Sequence, residues 1–235
     1  MAQRELEELI KERIRREGPI TFSRFMEMAL YHVPGGYYTS RRQRVGPEGD
    51  FYTSPLAHPA FAALIAIQLE QMWEELESPS PFFAVEIGSG KGTLARDIIV
   101  YNHNLSPAFA KALRYVSVER GQPGWPSGWD AMAAVGLPLR RLQGCILSNE
   151  LLDAMPVHRV VGQGGALREI YVGLEDGDFA ETIDGPSTPR LQQRLDSLGV
   201  SLGEGQEAEV NLLLEDWVAN VATSLDRGYV ITIDY

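Results

Sequence analysis

Residues 82–101 predict a strand, a glycine-rich turn and a helix in direct succession, and this segment constrains the fold more than any other. Its first part, FFAVEI, is a short continuous apolar run of the kind that forms a parallel strand buried on both faces. Glycines then stand at positions 88, 90 and 92, and TLARDIIVY has the apolar spacing of an amphipathic helix. Strands that alternate with helices are typical of parallel α/β sheets, so the segment predicts this fold class.

Similar elements are predicted along the rest of the chain. The apolar runs RYVSVE and GCILSNE predict two more strands, and VHRVV and LREIYV, separated by GQGGA, predict an antiparallel hairpin. Apolar spacing and capping residues predict helices over Glu5–Glu17, after an N-cap at Thr21, from Pro59 onward and from about Ala208 to Leu225. The final run, YVITIDY, ends the chain inside a predicted strand, so we expect that carboxy-terminal strands of the sheet are missing.

These elements predict the domain organisation. We expect amino-terminal helices and a lid-like loop over residues 1–80, followed by a sheet domain over residues 81–235. The hairpin and a helical segment, at about residues 156–205, are expected to be inserted into that domain. The sheet itself is expected to be mostly parallel, with helices on both of its faces.

The composition excludes several classes of partner. With 235 residues, of which 44% are hydrophobic, the chain is long enough to bury a large core. A net charge of -11 disfavours nucleic acid and anionic membranes but suits a cationic substrate. No targeting pattern or bilayer-length apolar run is present, so we expect a cytoplasmic protein without membrane insertion. The single Cys145 is expected to be buried, and the four histidines lack metal-ligand spacing, so we expect no metal site.

Three ligand classes compete for the glycine turn. A triphosphate-binding loop is excluded, because Gly92 separates Lys91 from Thr93 and Val85 stands where the first glycine of that motif belongs. A dinucleotide turn is weakened but still open, because its third glycine would fall at Thr93 rather than at Gly92.

The third class fits better. A strand-end acid, Glu86, followed by Gly-x-Gly-x-Gly resembles the S-adenosylmethionine-binding signature of class I methyltransferases. Glu86 is then expected to bind the cofactor's ammonium group, and the acid that ends the next strand, Glu119, is expected to accept hydrogen bonds from its ribose. We expect the cofactor to contact Glu86, Gly88, Gly90, Gly92, Thr93, Glu119 and, from the early loop, Asp50.

Several segments together resemble one family. GPITFSRFMEMALYHVPGGYY, GDFYTSP, VEIGSGKGTLARDI, YVSVE, SNELLDAMPVHRV and ITIDY occur in the order that is typical of the MidA-like family of class I methyltransferases. That family includes a mitochondrial complex I assembly factor that methylates an arginine of a complex I subunit. The resemblance spans residues 17–235 and implies a class I methyltransferase (Rossmann-like) sheet, S-adenosylmethionine as cofactor and an arginine-containing protein substrate. One departure is Arg120, which stands where the family has a serine.

The turn after GCIL carries the candidate catalytic residues. Asn149, Glu150 and Asp153 follow the predicted third strand, where a class I enzyme presents its substrate to the methyl group. A pair of carboxylates can orient a guanidinium and balance its charge, so we expect Glu150 to hold the substrate arginine and Asp153 to assist. The alternative is that these residues only cap a helix.

Three functions therefore compete. The first is a protein N-methyltransferase that acts on arginine, with a target similar to a respiratory complex I subunit and a homodimer as one possible assembly. The second is an assembly factor that binds S-adenosylmethionine without turnover. The third, favoured least, is an NAD-dependent oxidoreductase.

Overall fold

The structure, a computed structural model, describes residues 2–39, 55, 58–120 and 128–234. Its helices are α1 (Ala2–Glu17), α2 (Phe22–Tyr31), α3 (Ala60–Glu75), α4 (Thr93–Tyr101), α5 (Pro107–Ala112), α6 (Arg190–Ser197) and α7 (Leu213–Ser224). Its strands are β1 (Ile20–Thr21), β2 (Phe82–Ile87), β3 (Leu113–Glu119), β4 (Asp130–Ala133), β5 (Leu142–Asn149), β6 (His158–Gln163), β7 (Ala166–Glu175), β8 (Asp178–Asp184), β9 (Glu207–Val210) and β10 (Leu225–Ile233).

The chain divides into two compact units. Unit 1 contains Met1–Arg42 and Ala154–Glu215, and unit 2 contains Gln43–Asp153 and Asp216–Tyr235. This grouping differs from the predicted division at residue 80, because α3 belongs to unit 2 while α1 and α2 belong to unit 1. The predicted division into two domains stays a prediction.

A five-stranded parallel sheet forms the centre of unit 2. Its order is β10–β5–β2–β3–β4, and each pair of neighbours is parallel. One face packs against α3, α4 and α5 through buried residues such as Leu69, Ile98 and Phe109. The other face, which includes Val85 and Ile146, packs against Val221 of α7. Burial on both faces explains why these strands are continuous apolar runs, and it confirms the predicted parallel sheet with helices on both sides.

An antiparallel sheet forms the centre of unit 1. Its order is β1–β7–β6–β9, and β8 pairs with β7. The β6–β7 hairpin is the predicted one, with Gln163 opposite Ala166 beside the turn. Helices α1 and α2 bury Leu6, Ile10 and Met28 in a cluster with Val172 of β7. Thr21 caps α2 as predicted, since its side chain accepts a hydrogen bond from the backbone N–H of Arg24 at 3.1 Å.

One predicted helix begins later than expected. Residues Glu207–Val210 form β9, which pairs with β6, so the prediction of helix from about Ala208 is wrong for these residues. Glutamate and alanine favour helices, but pairing with β6 overrides that weak local preference. Helix α7 starts at Leu213 instead, where the Asn211 side chain accepts hydrogen bonds from the N–H groups of Leu213 and Leu214. None of the described helices is both long and apolar enough to cross a bilayer.

Candidate cofactor and active site

The ends of three adjacent strands bring the predicted polar residues together. Strand β2 lies between β3 and β5, and Ile87 is paired with Val118 on one side and with Ser148 on the other. Because side chains alternate between the faces of a sheet, this register places Glu86, Glu119 and Asn149 on the same face. All three lie at or next to the carboxyl ends of their strands, the edge at which open α/β sheets bind ligands.

Glu86 is a buried carboxyl group. It is only 4% exposed, and it accepts a hydrogen bond of 2.9 Å from the hydroxyl of Tyr115. Its pKa is raised to about 7, mainly by burial; the Tyr115 hydrogen bond acts to lower this pKa, and the charge of Glu119 acts to raise it. A carboxyl group that is costly to ionise in this position would be stabilised in its charged form by a cationic ligand.

The glycine turn has the geometry that its sequence predicts. Gly88, Gly90 and Gly92 have φ values of 75°, 53° and 71°, in the left-handed region that glycine adopts without steric cost. The N–H of Gly88 donates to the carbonyl of Val118 at 2.8 Å, and α4 begins at Thr93 as expected. A Cβ atom built on Gly90 would have no atom of the described residues within 4 Å, so these residues leave space beside the turn.

Ser89, between two of these glycines, was not singled out by the sequence. Its hydroxyl oxygen is buried and has no hydrogen-bond partner within the part of the chain that the structure describes. Buried polar groups normally have partners, so an unpartnered hydroxyl in a glycine turn points to a ligand atom. The signal in the sequence was its position within the turn.

Glu119 ties the end of β3 to the glycine turn. One carboxylate oxygen accepts from the N–H of Gly90 at 3.0 Å, and the other accepts from the N–H of Arg120 at 2.7 Å. Each carboxylate oxygen has two lone pairs, so both can accept a further hydrogen bond. The group is therefore fixed in place and still able to bind hydroxyls.

The turn after β5 brings two of the predicted catalytic residues into contact. The side-chain amide of Asn149 donates to the carboxylate of Glu150 at 3.2 Å, while its carbonyl oxygen is buried without a partner among the described residues. Glu150 has a left-handed backbone, with φ of 49°, and its N–H donates to the carbonyl of Ile233 at 2.8 Å. Asp153 is exposed at the end of this turn. Joint binding of a guanidinium by Glu150 and Asp153 stays a prediction.

Asp234 and Leu151 also contribute to this edge and were missed. A carboxylate oxygen of Asp234 accepts from the N–H groups of Leu152 at 3.2 Å and Asp153 at 3.3 Å. The side chain of Leu151 lies over the glycine turn, since a Cβ atom on Gly88 would be 2.9 Å from its Cδ1. An acid at the end of a predicted strand was the available signal for Asp234, as it was for Glu86 and Glu119.

Asp50, an expected cofactor contact, lies outside the described residues. His158 is in unit 1, where its Nδ1 is 2.7 Å from Oε1 of Glu169. Burial acts to raise the pKa of Glu169, but hydrogen bonds from His158 and Ser187 outweigh it and hold that pKa below its usual range. His158 is thus a structural histidine with a hydrogen-bond partner.

Relatives of this chain are described as arginine methyltransferases. This chain is 30% identical to "Protein arginine methyltransferase NDUFAF7 homolog, mitochondrial" of Drosophila melanogaster. The match covers 96% of this chain and 59% of the relative. The chain is 27% identical to "Protein arginine methyltransferase NDUFAF7, mitochondrial" of Homo sapiens, over 69% of this chain and 44% of that protein.

A solved structure has the same fold. A crystal structure of a Burkholderia thailandensis protein bound to S-adenosyl-homocysteine superposes with a TM-score of 0.84 at 27% identity. The match covers 100% of this chain and 63% of that one. The chain therefore spans about six tenths of the length of this structure and of the fly relative.

A family model matches most of the chain. The family described as "Putative S-adenosyl-L-methionine-dependent methyltransferase" matches residues 64–235, which is well over half of the sequence. The glycine turn and the strand-end residues Glu86, Glu119 and Asn149 all lie within the matched range. The chain therefore belongs to this family of S-adenosylmethionine-dependent methyltransferases.

Proposed function

We propose that this protein binds S-adenosylmethionine at the carboxyl ends of β2, β3 and β5 and methylates an arginine nitrogen of a protein substrate. The observation that carries the proposal is the convergence of Glu86, Glu119 and the Asn149–Glu150 pair around the glycine turn, on one face and at one edge of the sheet. The family description, the S-adenosyl-homocysteine of the Burkholderia structure and the names of the relatives support it.

The residues at this edge fit the chemistry of the cofactor. Its ammonium group matches Glu86, a buried carboxyl that has no cationic hydrogen-bond partner among the described residues. Its carboxylate matches the unpartnered hydroxyl of Ser89, which can donate, and its ribose hydroxyls match the fixed carboxylate of Glu119. The open space beside Gly90 lets a ligand approach the backbone closely.

The turn after β5 suits a guanidinium substrate. The bound cofactor supplies an electrophilic methyl group, so the protein has to orient a nucleophile and accept the proton that it loses. The guanidinium of arginine stays charged at neutral pH. A carboxylate can orient the guanidinium by hydrogen bonds and balance its charge. Glu150 supplies that carboxylate, and the unpartnered carbonyl oxygen of Asn149 can accept one further N–H.

A Glu150→Gln variant tests this assignment. We expect it to lose methyl transfer by about 100-fold or more, in line with the loss of a group that orients and deprotonates the substrate, while its affinity for S-adenosylmethionine changes little. The measurement is transfer of labelled methyl groups to synthetic peptides with one central arginine, with matched lysine peptides beside them. An Asp226→Asn variant, on exposed residue 226 of β10, is the control. Equal transfer by Glu150→Gln, or label on the lysine peptides, would contradict the proposal.

The finer proposals concern the partner. By its resemblance to the MidA-like family, we propose a target similar to a subunit of respiratory complex I, and a homodimer as the assembled form. Methylation of an intact complex I subunit in preference to the short peptides would support the proposed target.

Light scattering of the purified protein tests the homodimer, because a monomeric mass at working concentration is incompatible with a dimer.

A further inference from the structure

Three strand ends are joined by a continuous series of contacts. Directly after β10, the carboxylate of Asp234 accepts two consecutive N–H groups, those of Leu152 and Asp153. These residues belong to the turn after β5, which we call the 150–153 turn. From that turn, the Leu151 side chain reaches the glycine turn after β2, where it lies 2.9 Å from the position that a Gly88 Cβ would take.

The 150–153 turn needs this support. Glu150 is a non-glycine residue with φ of 49°, a strained conformation that persists where surrounding contacts determine it. The carbonyl of Ile233 accepts from its N–H at 2.8 Å, and the Asp234 carboxylate accepts from the N–H groups of Leu152 and Asp153. The last residue of β10, Ile233, and the residue after it, Asp234, thus bind three of the four N–H groups of the turn.

We propose that Asp234 is a positioning residue for the cofactor site. Its carboxylate fixes the 150–153 turn, and that turn places Leu151 against Gly88, so that the glycine turn is held in the shape that binds the cofactor. The inference rests on the proposed binding of S-adenosylmethionine at this edge. It assigns a role at the site to a residue that does not itself have to touch the cofactor.

Two variants of Asp234 separate positioning from charge. Asp234→Ala removes both the acceptor and the negative charge, whereas Asp234→Asn keeps a carbonyl oxygen that can accept the same two N–H groups. If Asp234 acts by holding the turn, the asparagine variant binds like the wild type. If it acts only by attracting the cationic cofactor, both variants lose affinity equally, and the proposal is overturned.

The experiment is calorimetric titration with S-adenosylmethionine. We expect the Kd of Asp234→Ala to rise about tenfold, equal to about 1.4 kcal/mol, and that of Asp234→Asn to stay within about threefold. Asp226→Ala, at an exposed position of β10, is the matched control and should bind like the wild type. An unchanged Kd for Asp234→Ala, with thermal unfolding showing that all variants are folded, overturns the inference.

A double-mutant cycle tests the route through Leu151. If Asp234 acts through this side chain, Leu151→Ala alone also raises the Kd. The Kd of the Asp234→Ala, Leu151→Ala double variant is then no higher than the larger of the two single-variant Kd values. Additive losses contradict the route, and Leu151→Ala decides the question even if Asp234→Ala does not fold. A wild type that binds no S-adenosylmethionine defeats the proposed function itself, whereas a binding wild type with unaffected variants defeats only this inference.

Discussion

At the scale of single residues, the most informative group is the carboxyl of Glu86. Parallel strands bury apolar side chains on both faces, and a glutamate that is 4% exposed in such a strand is costly in the absence of a charged partner. The Tyr115 hydroxyl supplies one hydrogen bond, which does not offset the effect of burial on the pKa. Ionisation of Glu86 therefore costs stability at neutral pH, and a cationic ligand would offset that cost.

Glu86→Gln should show this cost as a function of pH. The pKa of Glu86 is raised from 4.5 to about 7, so the folded chain holds its proton more tightly than the unfolded chain does. Its contribution to the unfolding free energy is complete below about pH 4.5 and is lost as the pH rises toward about 7. At 1.36 kcal/mol per pKa unit the loss is about 3 kcal/mol.

Chemical denaturation of both proteins between pH 4 and 8 measures this difference. Relative to Glu86→Gln, which stays neutral, the wild type should lose stability with rising pH and level off above about pH 7. Saturating S-adenosylmethionine should reduce the loss, because its ammonium group stabilises the charged carboxylate. Parallel pH profiles for the two proteins would show that Glu86 ionises as freely in the folded chain as in the unfolded one.

At the scale of secondary-structure elements, the parallel sheet depends on a close approach between strands at Gly144. A Cβ atom built on Gly144 of β5 would lie 1.9 Å from the carbonyl oxygen of Phe83 in β2, and its φ is 152°. Backbone on the adjacent strand cannot move aside as the end of a flexible side chain can. Only glycine therefore fits at this point of the sheet.

Gly144→Ala should destabilise unit 2 strongly. We expect a loss of about 3 kcal/mol or more in unfolding free energy, because a steric clash adds to the strain of the backbone conformation. Gly136→Ala is the matched control, since Gly136 has a similar φ of 140°, but no atom in the described part of the chain lies within 4 Å of its Cβ position. In a denaturant titration, Gly136→Ala should lose less unfolding free energy than Gly144→Ala, because only the strained φ contributes to its loss. Equal losses would mean that the contact with Phe83 does not matter.

The elements also show what the sequence can predict. Strands β2, β3 and β5 are continuous apolar runs between turn residues, and the structure has them within a residue or two of their predicted bounds. Strand β4, Asp130–Ala133, was not predicted, because it is short and mostly exposed at the edge of the sheet. Strand β9 was assigned to a helix, because its EAEV sequence favours one in the absence of the pairing with β6.

At the scale of the whole molecule, the sequence predicted those site residues that adjoin a strand recognisable from its own local sequence. Glu86, the glycine turn and Glu119 could be identified because each follows directly from the end of a predicted strand. The contact of Asp234 with Leu152 joins residues 82 apart, and only the order of strands in the sheet brings them together. When the order of the strands in the sheet is unknown, nothing distinguishes Asp234 from an ordinary polar residue at the end of a strand.

The central claim concerns the ligand of the whole molecule, and calorimetric titration with S-adenosylmethionine, with NAD as competitor, tests it most directly. We predict that the wild type binds S-adenosylmethionine, that NAD does not displace it, and that Glu119→Ala raises the Kd by about tenfold or more, because the variant loses hydrogen bonds of a charged acceptor. The variant also loses the hydrogen bond from Gly90, so its thermal unfolding has to show that it remains folded. No binding to the folded wild type, or a preference for NAD, would contradict the account.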